Sequence, residues 1–355
     1  MKSSWSSNDV NGAARHNGSG RDLTFVTITF REELELLRLQ ARSMAAFLPP
    51  DMVGEILVVV NDRDEAALGD AVEAMRAEYG ALSGRLRVIP ATRLFRWNVG
   101  PRGPLARLRR VQALHPRLAL RSPGTAWRGH GGWKIQQVCK LAIWREVSTP
   151  WTVLLDSKIH FMAPVPRSEF FAPDGRPRMI CKDLSDARMD WLAPSFAQFG
   201  LPPDAAGPRV ADGIMPLPVA TALLRDVTEA VEAKAGPLQV LFAVHRKGET
   251  EAMLITAHCI ARHGSLEAVF DTARPLPPVI MRSHDAAWVD AALDAVEQGA
   301  VSLALHRAAV ARLTQAQRRR LAGLWRDRGL VGDAGDLARI FSVRDGDVPA
   351  AEQAA

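Results

Sequence analysis

Cysteine is scarce in this chain: Cys139, Cys181 and Cys259 are the only three in 355 residues. They lie far apart, each inside an apolar stretch, which excludes a disulfide scaffold, a zinc ribbon and a thioredoxin-type redox motif. They read as small core residues of a reducing compartment. No uncharged apolar run reaches the roughly 18 residues of a membrane-spanning helix. The opening stretch, MKSSWSSNDVNGAARHNGSGRD, lacks the apolar centre of a secretory signal. The expectation is a cytoplasmic protein with a loose tail over residues 1–21. Tyrosine occurs once, so a binder of single-stranded nucleic acid would be short of stacking partners.

Acidic residues are missing from one long stretch. Between Glu78 and Glu146 there is none, while twelve arginines and two lysines fall there, giving that segment +14 in a chain whose net charge is +6. Such asymmetry gathers anions such as nucleotide phosphates, lipid headgroups or nucleic acid, unless the charges form only a solvated face. What the chain does have is apolar substance: 47% hydrophobic against 24% charged residues excludes a disordered or collagen-like polymer.

The apolar runs alternate between two periods. Leu23–Phe30, Glu55–Asn61 and Leu86–Pro90 are short, β-branched-rich runs that predict buried strands. Glu32–Leu48 and Glu65–Tyr79 carry apolar residues at helical spacing, the first stopped by Pro49-Pro50. Strand, helix, strand, helix, strand predicts parallel βαβ units, whose ligands sit at the carboxyl edge of the sheet. Residues 92–132, rich in Arg, Pro and Gly, predict a functional loop or lid. A helix over Trp133–Val147 and a strand over Trp151–Asp156 follow. The second half predicts strands at Arg178–Cys181, Gly213–Leu217, Val279–Met281 and Ser302–His306. Its predicted helices are Val219–Ala235, Thr250–Arg262, Asp285–Glu297 and a basic closing helix, Ala308–Arg328. Residues 22–328 therefore form the folded domain, and 329–355 a C-terminal tail.

Asp156 ends an apolar strand, in Leu155-Asp156-Ser157-Lys158. A carboxylate there is costly unless hydrogen-bonded, paired or bound to a cation; the plain alternative is a turn residue accepting backbone N–H bonds. The βαβ opening, the helix start Gly132-Trp133-Lys134-Ile135-Gln136-Gln137, the strand end at Asp156 and the later Thr250-Glu251-Ala252-Met253-Leu254 together resemble a bacterial glycosyltransferase-like family of unassigned function. That family belongs to the nucleotide-diphospho-sugar transferase (GT-A type) superfamily. The resemblance spans residues 22–328 and implies an α/β, GT-A-like, mostly parallel central sheet flanked by helices, with a C-terminal helical closure.

It also implies roles. In such enzymes an Asp-x-Asp motif ends this strand and holds Mg²⁺ or Mn²⁺ against the sugar diphosphate. Asp156 matches the first aspartate, as catalytic residue and metal ligand, but Lys158 replaces the second and would neutralise diphosphate directly. Glu251 matches an acceptor-side carboxylate acting as general base; like Glu249, it is otherwise a first-turn residue stabilised by the helix dipole. Trp133, Lys134, Gln136 and Gln137 would line the donor pocket. Thr29, with Thr27, would seat base or ribose, and His306 would contact metal or diphosphate. Read from the residues themselves, Gly129–Gly132 would cradle phosphate ahead of a helix or simply form a turn, and Arg318-Arg319-Arg320 would touch an anionic membrane surface or form a solvated face.

The implied activity is transfer of a sugar from a nucleotide-diphospho-sugar to the hydroxyl of a glycan or lipid-linked acceptor in surface-polysaccharide synthesis. The alternatives are binding of a nucleotide sugar or glycan without turnover, and nucleic-acid binding through the arginine-rich segment. No recognition motif accompanies the arginines, which counts against the last.

Overall fold

The computed structural model describes residues 20–95, 132–213, 215–244 and 248–342. The central sheet has the order β3-β2-β1-β4-β8. Its strands are β1 (Leu23–Thr29), β2 (Val53–Val60), β3 (Leu86–Pro90), β4 (Trp151–Asp156) and β8 (Leu217–Ala220). The first four run parallel and β8 is antiparallel to β4. Every residue of β1 is buried, which is why this strand reads as a continuous apolar run rather than an alternating one. The helices α1 (Leu34–Phe47), α2 (Glu65–Ala74) and α3 (Gly132–Ala142) provide the crossovers. The chain is thus an α/β protein with a mostly parallel central sheet flanked by helices.

The strand order fixes where a ligand can bind. From β1 the chain moves one way to β2 and β3, then returns to β4 on the other side, so the connections diverge at the carboxyl ends of β1 and β4. Open α/β sheets bind ligands at such a crevice. Asp156 pairs in register with Ile28 there.

Beyond β4 the chain builds two small sheets. One has the order β10 (Val279–Ile280), β11 (Ser302–Leu305), β5 (Ile159–Phe161), and the other β7 (Arg209–Ala211), β6 (Arg178–Asp183), β9 (Asp271–Arg274). The remaining helices are α4 (Asp186–Ala197), α5 (Thr221–Ala235), α6 (Leu238–Val244), α7 (Glu251–His263), α8 (Ala286–Glu297), α9 (Gln315–Asp327) and α10 (Ala334–Phe341).

Three expectations need correction. The strand foreseen at Gly213–Leu217 lies instead at Leu217–Ala220, and its helix starts at Thr221. The single closing helix Ala308–Arg328 is broken into a turn, Arg307–Val310, and α9, because Thr314 starts α9 with a capping box in which its side chain and that of Gln317 satisfy each other's backbone N–H groups. Order also continues past 328: α10 buries Leu337 and Ile340, and its Asp336 pairs with Arg42 of α1 at 2.5 Å.

A second apolar cluster, around Trp325, Leu321, Leu293 and Leu305, joins the C-terminal helices to β11. It is tied to β5 by Trp325, whose indole N–H donates to His160 Nε2 over 2.9 Å. His160 accepts that bond only when neutral. Burial pushes its pKa down to about 3, and burial with the nearby Arg262 and His263 charges pushes that of His258 down to about 4. Their folded values lie below the unfolded value of about 6.5, so their contribution is complete above that pH and is lost progressively below it, down to about 4 for His258 and about 3 for His160. We expect a stability loss on the order of a few kcal/mol between pH 6.5 and 4.5. Thermal melts across that range should show it, with a shallower slope for His160→Gln; identical slopes would discard the assignment.

Candidate functional site

The site is built where four elements meet at the carboxyl edge of the sheet. β4 ends in Asp156, and the tight turn to β5 carries Ser157 and Lys158. The turn is held from beneath by Gln40 of α1. Its side-chain amide donates to the carbonyls of Asp156 (2.8 Å) and Ile159 (2.7 Å), while its oxygen accepts from the Thr27 hydroxyl at 2.7 Å. Thr27 is therefore turned into the core to position this turn and does not face a ligand. The hydroxyl of Ser157 donates to the Glu33 carboxylate. β11 closes the other side: the N–H of Leu305 donates to the Lys158 carbonyl over 2.8 Å.

The charged side chains form a line. Lys158 Nζ lies 3.0 Å from Asp156 Oδ2, Lys140 Nζ lies 2.8 Å from Asp156 Oδ1, and the same Lys140 Nζ lies 3.2 Å from Glu251 Oε1. Two ammonium groups alternate with two carboxylates. Lys140 and Glu251 are 3% and 2% exposed, whereas Lys158 is 23% exposed and is the cation of the line that faces outward. Burial acts against the charge of Lys140, but the Asp156 and Glu251 carboxylates outweigh it and raise its pKa. Burial likewise acts against the Asp156 charge, and Lys140 and Lys158 more than compensate, holding its carboxyl well below the usual range.

Glu251 reaches this point because Thr250 starts α7, its hydroxyl accepting from the Met253 N–H at 3.2 Å. The Glu251 N–H then donates to Gln137 Oε1 of α3 at 3.0 Å, which docks the start of α7 one turn from Lys140. Gln137 is thus buried and serves the contact between helices, while Gln136 beside it is half-buried. Asp156, Lys158, Glu251 and Gln137 are brought together. Lys140, which joins them, was not singled out from the sequence. The available signal was a lysine enclosed by Val138, Cys139, Leu141 and Ala142, a position where an ammonium must be paired.

The other candidates fall around this line. Trp133, at the start of α3, is 40% exposed and its ring lies 6.0 Å from that of Trp191 on α4. Lys134 is half-buried; burial lowers its pKa and the Glu249 charge opposes the shift. Glu249 accepts from Gln198 Nε2 at 2.9 Å and so serves the contact with the end of α4. His306 ends β11; its Nδ1 accepts the Ala308 N–H at 3.1 Å. Burial, then the charges of Lys158 and Arg307, push its pKa down to about 4 against the pull of Asp156, so it is neutral at pH 7.

Thr29 is fully buried at the end of β1, and its hydroxyl has no hydrogen-bond partner among the described residues. The same holds for the side-chain oxygen of Asn61, just past β2, whose amide donates to the Gly132 carbonyl at 3.1 Å.

The arginines do not converge on this cleft where they are described. Arg93 pairs with Glu146 at 2.8 Å, beside Arg87 and Glu55 at the amino edge of the sheet. Arg145 pairs with Glu232, and Arg85 donates to the carbonyls of Pro50 and Val53. Arg96, Arg102 and Arg128, Gly129–Gly131 and most of the stretch 92–132 lie outside the described residues. In α9, Arg320 pairs with Asp294 and Glu297, and Arg318 donates to the carbonyls of Val310, Ala311 and Leu313. Two of those three arginines are thus committed within the fold. No helix among the described residues is long and apolar enough to cross a membrane.

A divalent metal fits these residues poorly. Both Asp156 oxygens already face an ammonium, and no cluster of three or more His, Cys, Asp or Glu side chains able to hold a metal occurs among the described residues. Mg²⁺ needs six oxygens in near-octahedral order, and here it would first have to displace a lysine.

No curated protein matches the chain. Among solved structures, the chain is similar to mouse xyloside xylosyltransferase 1 in its apo form, at 11% identity and a TM-score of 0.37, covering 80% of this chain and 97% of that one. It is also similar to S. aureus TarS, at 12% identity and a TM-score of 0.30, covering 89% of this chain but only 44% of that one. Residues 26–303, well over half of the chain and including the Asp156 turn and the start of α7, match the family described as "Family of unknown function (DUF6492)", and the chain belongs to that family.

Proposed function

We propose that the protein is a glycosyltransferase that moves a sugar from a nucleotide-diphospho-sugar to the hydroxyl of a glycan or lipid-linked acceptor. The observation that carries this reading is the placement of Asp156 and Lys158 at the divergence point of the sheet, joined through Lys140 to the carboxylate at the start of α7. In the reaction the acceptor oxygen bonds to the anomeric carbon as the bond from that carbon to the diphosphate oxygen breaks. The nucleoside diphosphate leaves with the electron pair, and the hydroxyl proton passes to Glu251.

Each residue has a task in that step. Lys158 meets the charge that grows on the leaving diphosphate, a form of stabilisation largest in the transition state. Asp156 orients both lysines. Trp133 and Trp191 offer an apolar face against which a sugar ring can stack, and the unpartnered oxygens of Thr29 and Asn61 are acceptors for base or ribose. His306, neutral, is a hydrogen-bonding neighbour of the diphosphate.

One observation favours a second reading. Glu251 is almost fully buried and already paired with Lys140, as suits a protein that binds the sugar nucleotide without turning it over. A thermal-shift series with UDP, GDP, ADP, CDP and their sugars separates these readings. A ligand at a hundred times its dissociation constant adds about 2.7 kcal/mol, or roughly 5 °C. A shift with release of free nucleotide supports transfer, a shift without turnover supports the second reading, and no shift with any of them rejects both.

A further inference from the structure

We infer that the Lys140 ammonium is this protein's built-in counter-cation: it stands between Asp156 and Glu251 where a divalent ion would sit, so the cleft takes its anionic ligand without a metal. Lys140 Nζ contacts one oxygen of each carboxylate, at 2.8 and 3.2 Å, so the two oxygens are bridged by a single positive charge. Two carboxylates brought this close in a buried place need either a shared proton or a cation between them, and here the ammonium contacts both. In a metal enzyme the cation is the ion; here it is a side chain anchored to α3.

The surroundings hold that side chain in place. Lys140 is 3% exposed and its helix neighbours Cys139, Leu141 and Ala142 are buried, so its ammonium is held inside the fold against the two carboxylates. Withdrawing it from the carboxylates would strand a buried charge, a cost of several kcal/mol. Lys158 closes the other oxygen of Asp156 at 3.0 Å. A divalent ion entering here would meet two ammonium groups and no vacant carboxylate oxygen on Asp156. Charge balance agrees, because two lysines already offset Asp156 and Glu251.

The inference takes its ligand from the glycosyltransferase reading but not its metal test. Mn²⁺ titrated into the full chain, followed by the electron paramagnetic resonance signal of the free ion, should show no stoichiometric binding to the wild type. Lys140→Ala removes the ammonium and leaves two carboxylates facing a space, and this variant should acquire one Mn²⁺ site that Asp156→Asn placed on top of it abolishes. In parallel, the thermal shift given by UDP or GDP should be the same in EDTA and in Mn²⁺. Stoichiometric Mn²⁺ binding by the wild type that Asp156→Asn removes would overturn the inference, as would a folded Lys140→Ala variant that takes no Mn²⁺. Where Lys140→Ala does not fold, the wild-type titration decides alone. Absence of any nucleotide shift would count against the glycosyltransferase reading while leaving the Mn²⁺ result to stand.

Discussion

Lys158→Met is expected to weaken the binding of a nucleoside diphosphate by roughly 10- to 150-fold, the equivalent of the 1.5–3 kcal/mol typical of a hydrogen bond to a charged group. Lys158 is the partly exposed cation of the line, and an ammonium has three N–H donors, of which Asp156 engages one. The others are free to meet phosphate oxygens without unburying anything. Methionine keeps the unbranched stem and removes only the charge, so the fold should persist. Asp156→Asn supplies the contrast. If a metal on Asp156 held the diphosphate, losing the carboxylate would abolish binding. If lysine holds it, the local charge becomes more positive and affinity should change by less than about tenfold. Isothermal titration with UDP or GDP in EDTA measures both. A Lys158→Met variant within about twofold of the wild type would remove Lys158 from the site.

The parts of this architecture that could be read from the chain are chiefly those whose burial is complete. β1, β4 and most of β2 are buried on both faces, so their apolar runs show the strand directly; β3, the edge strand with Arg87 and Pro90 exposed, is legible as a short β-branched run, and with the intervening helices the four give the parallel order. The position of Asp156 follows from the same logic, because an apolar run that ends abruptly in a carboxylate marks the end of a buried strand. What escaped is short or non-local. β5, β7 and β9 have three or four residues each and exist only because distant segments pair with them. Helix α4 contains Pro194 and has weak amphipathic character, so its period is hard to see. The break before α9 was legible in the spacing of Thr314 and Gln317, a capping signature overridden by the apolar periodicity around it.

The candidate site divides in a similar way. Asp156 was legible as a carboxylate ending an apolar strand, and Lys158 and Glu251 through the family resemblance, whereas the residue that joins them was not. Lys140 stands in a segment with many positive charges and looks like one more of them. Only the three-dimensional partners distinguish a buried bridging lysine from a solvated one. Gln40 is a similar case: it is one polar residue on α1, yet it anchors the backbone on both sides of the Asp156 turn. Thr27 shows the converse, since a hydroxyl near the carboxyl edge of a strand suggests a ligand contact but is taken by Gln40.

Lys140→Met should be the most destabilising single change in the cleft, costing about 3–5 kcal/mol, the usual consequence of removing one partner from a buried ion pair. The two carboxylates are not affected equally. Asp156 keeps Lys158 at 3.0 Å and is 15% exposed, so water and a second cation still serve it. Glu251 is 2% exposed and loses its described cation, so most of the cost falls on this one uncompensated charge. Glu251→Gln alone should cost less, because Lys140 retains Asp156. The double variant Lys140→Met/Glu251→Gln should then recover most of the stability lost in Lys140→Met, since no isolated charge remains where the amide replaces the carboxylate. Urea unfolding at pH 7.5 measures all three variants against the wild type through the midpoint at constant slope. The coupling energy from that cycle should reach at least about 2 kcal/mol. Additive effects would mean that Lys140 and Glu251 act independently, and the bridging role of the lysine would then be lost together with the explanation for its burial.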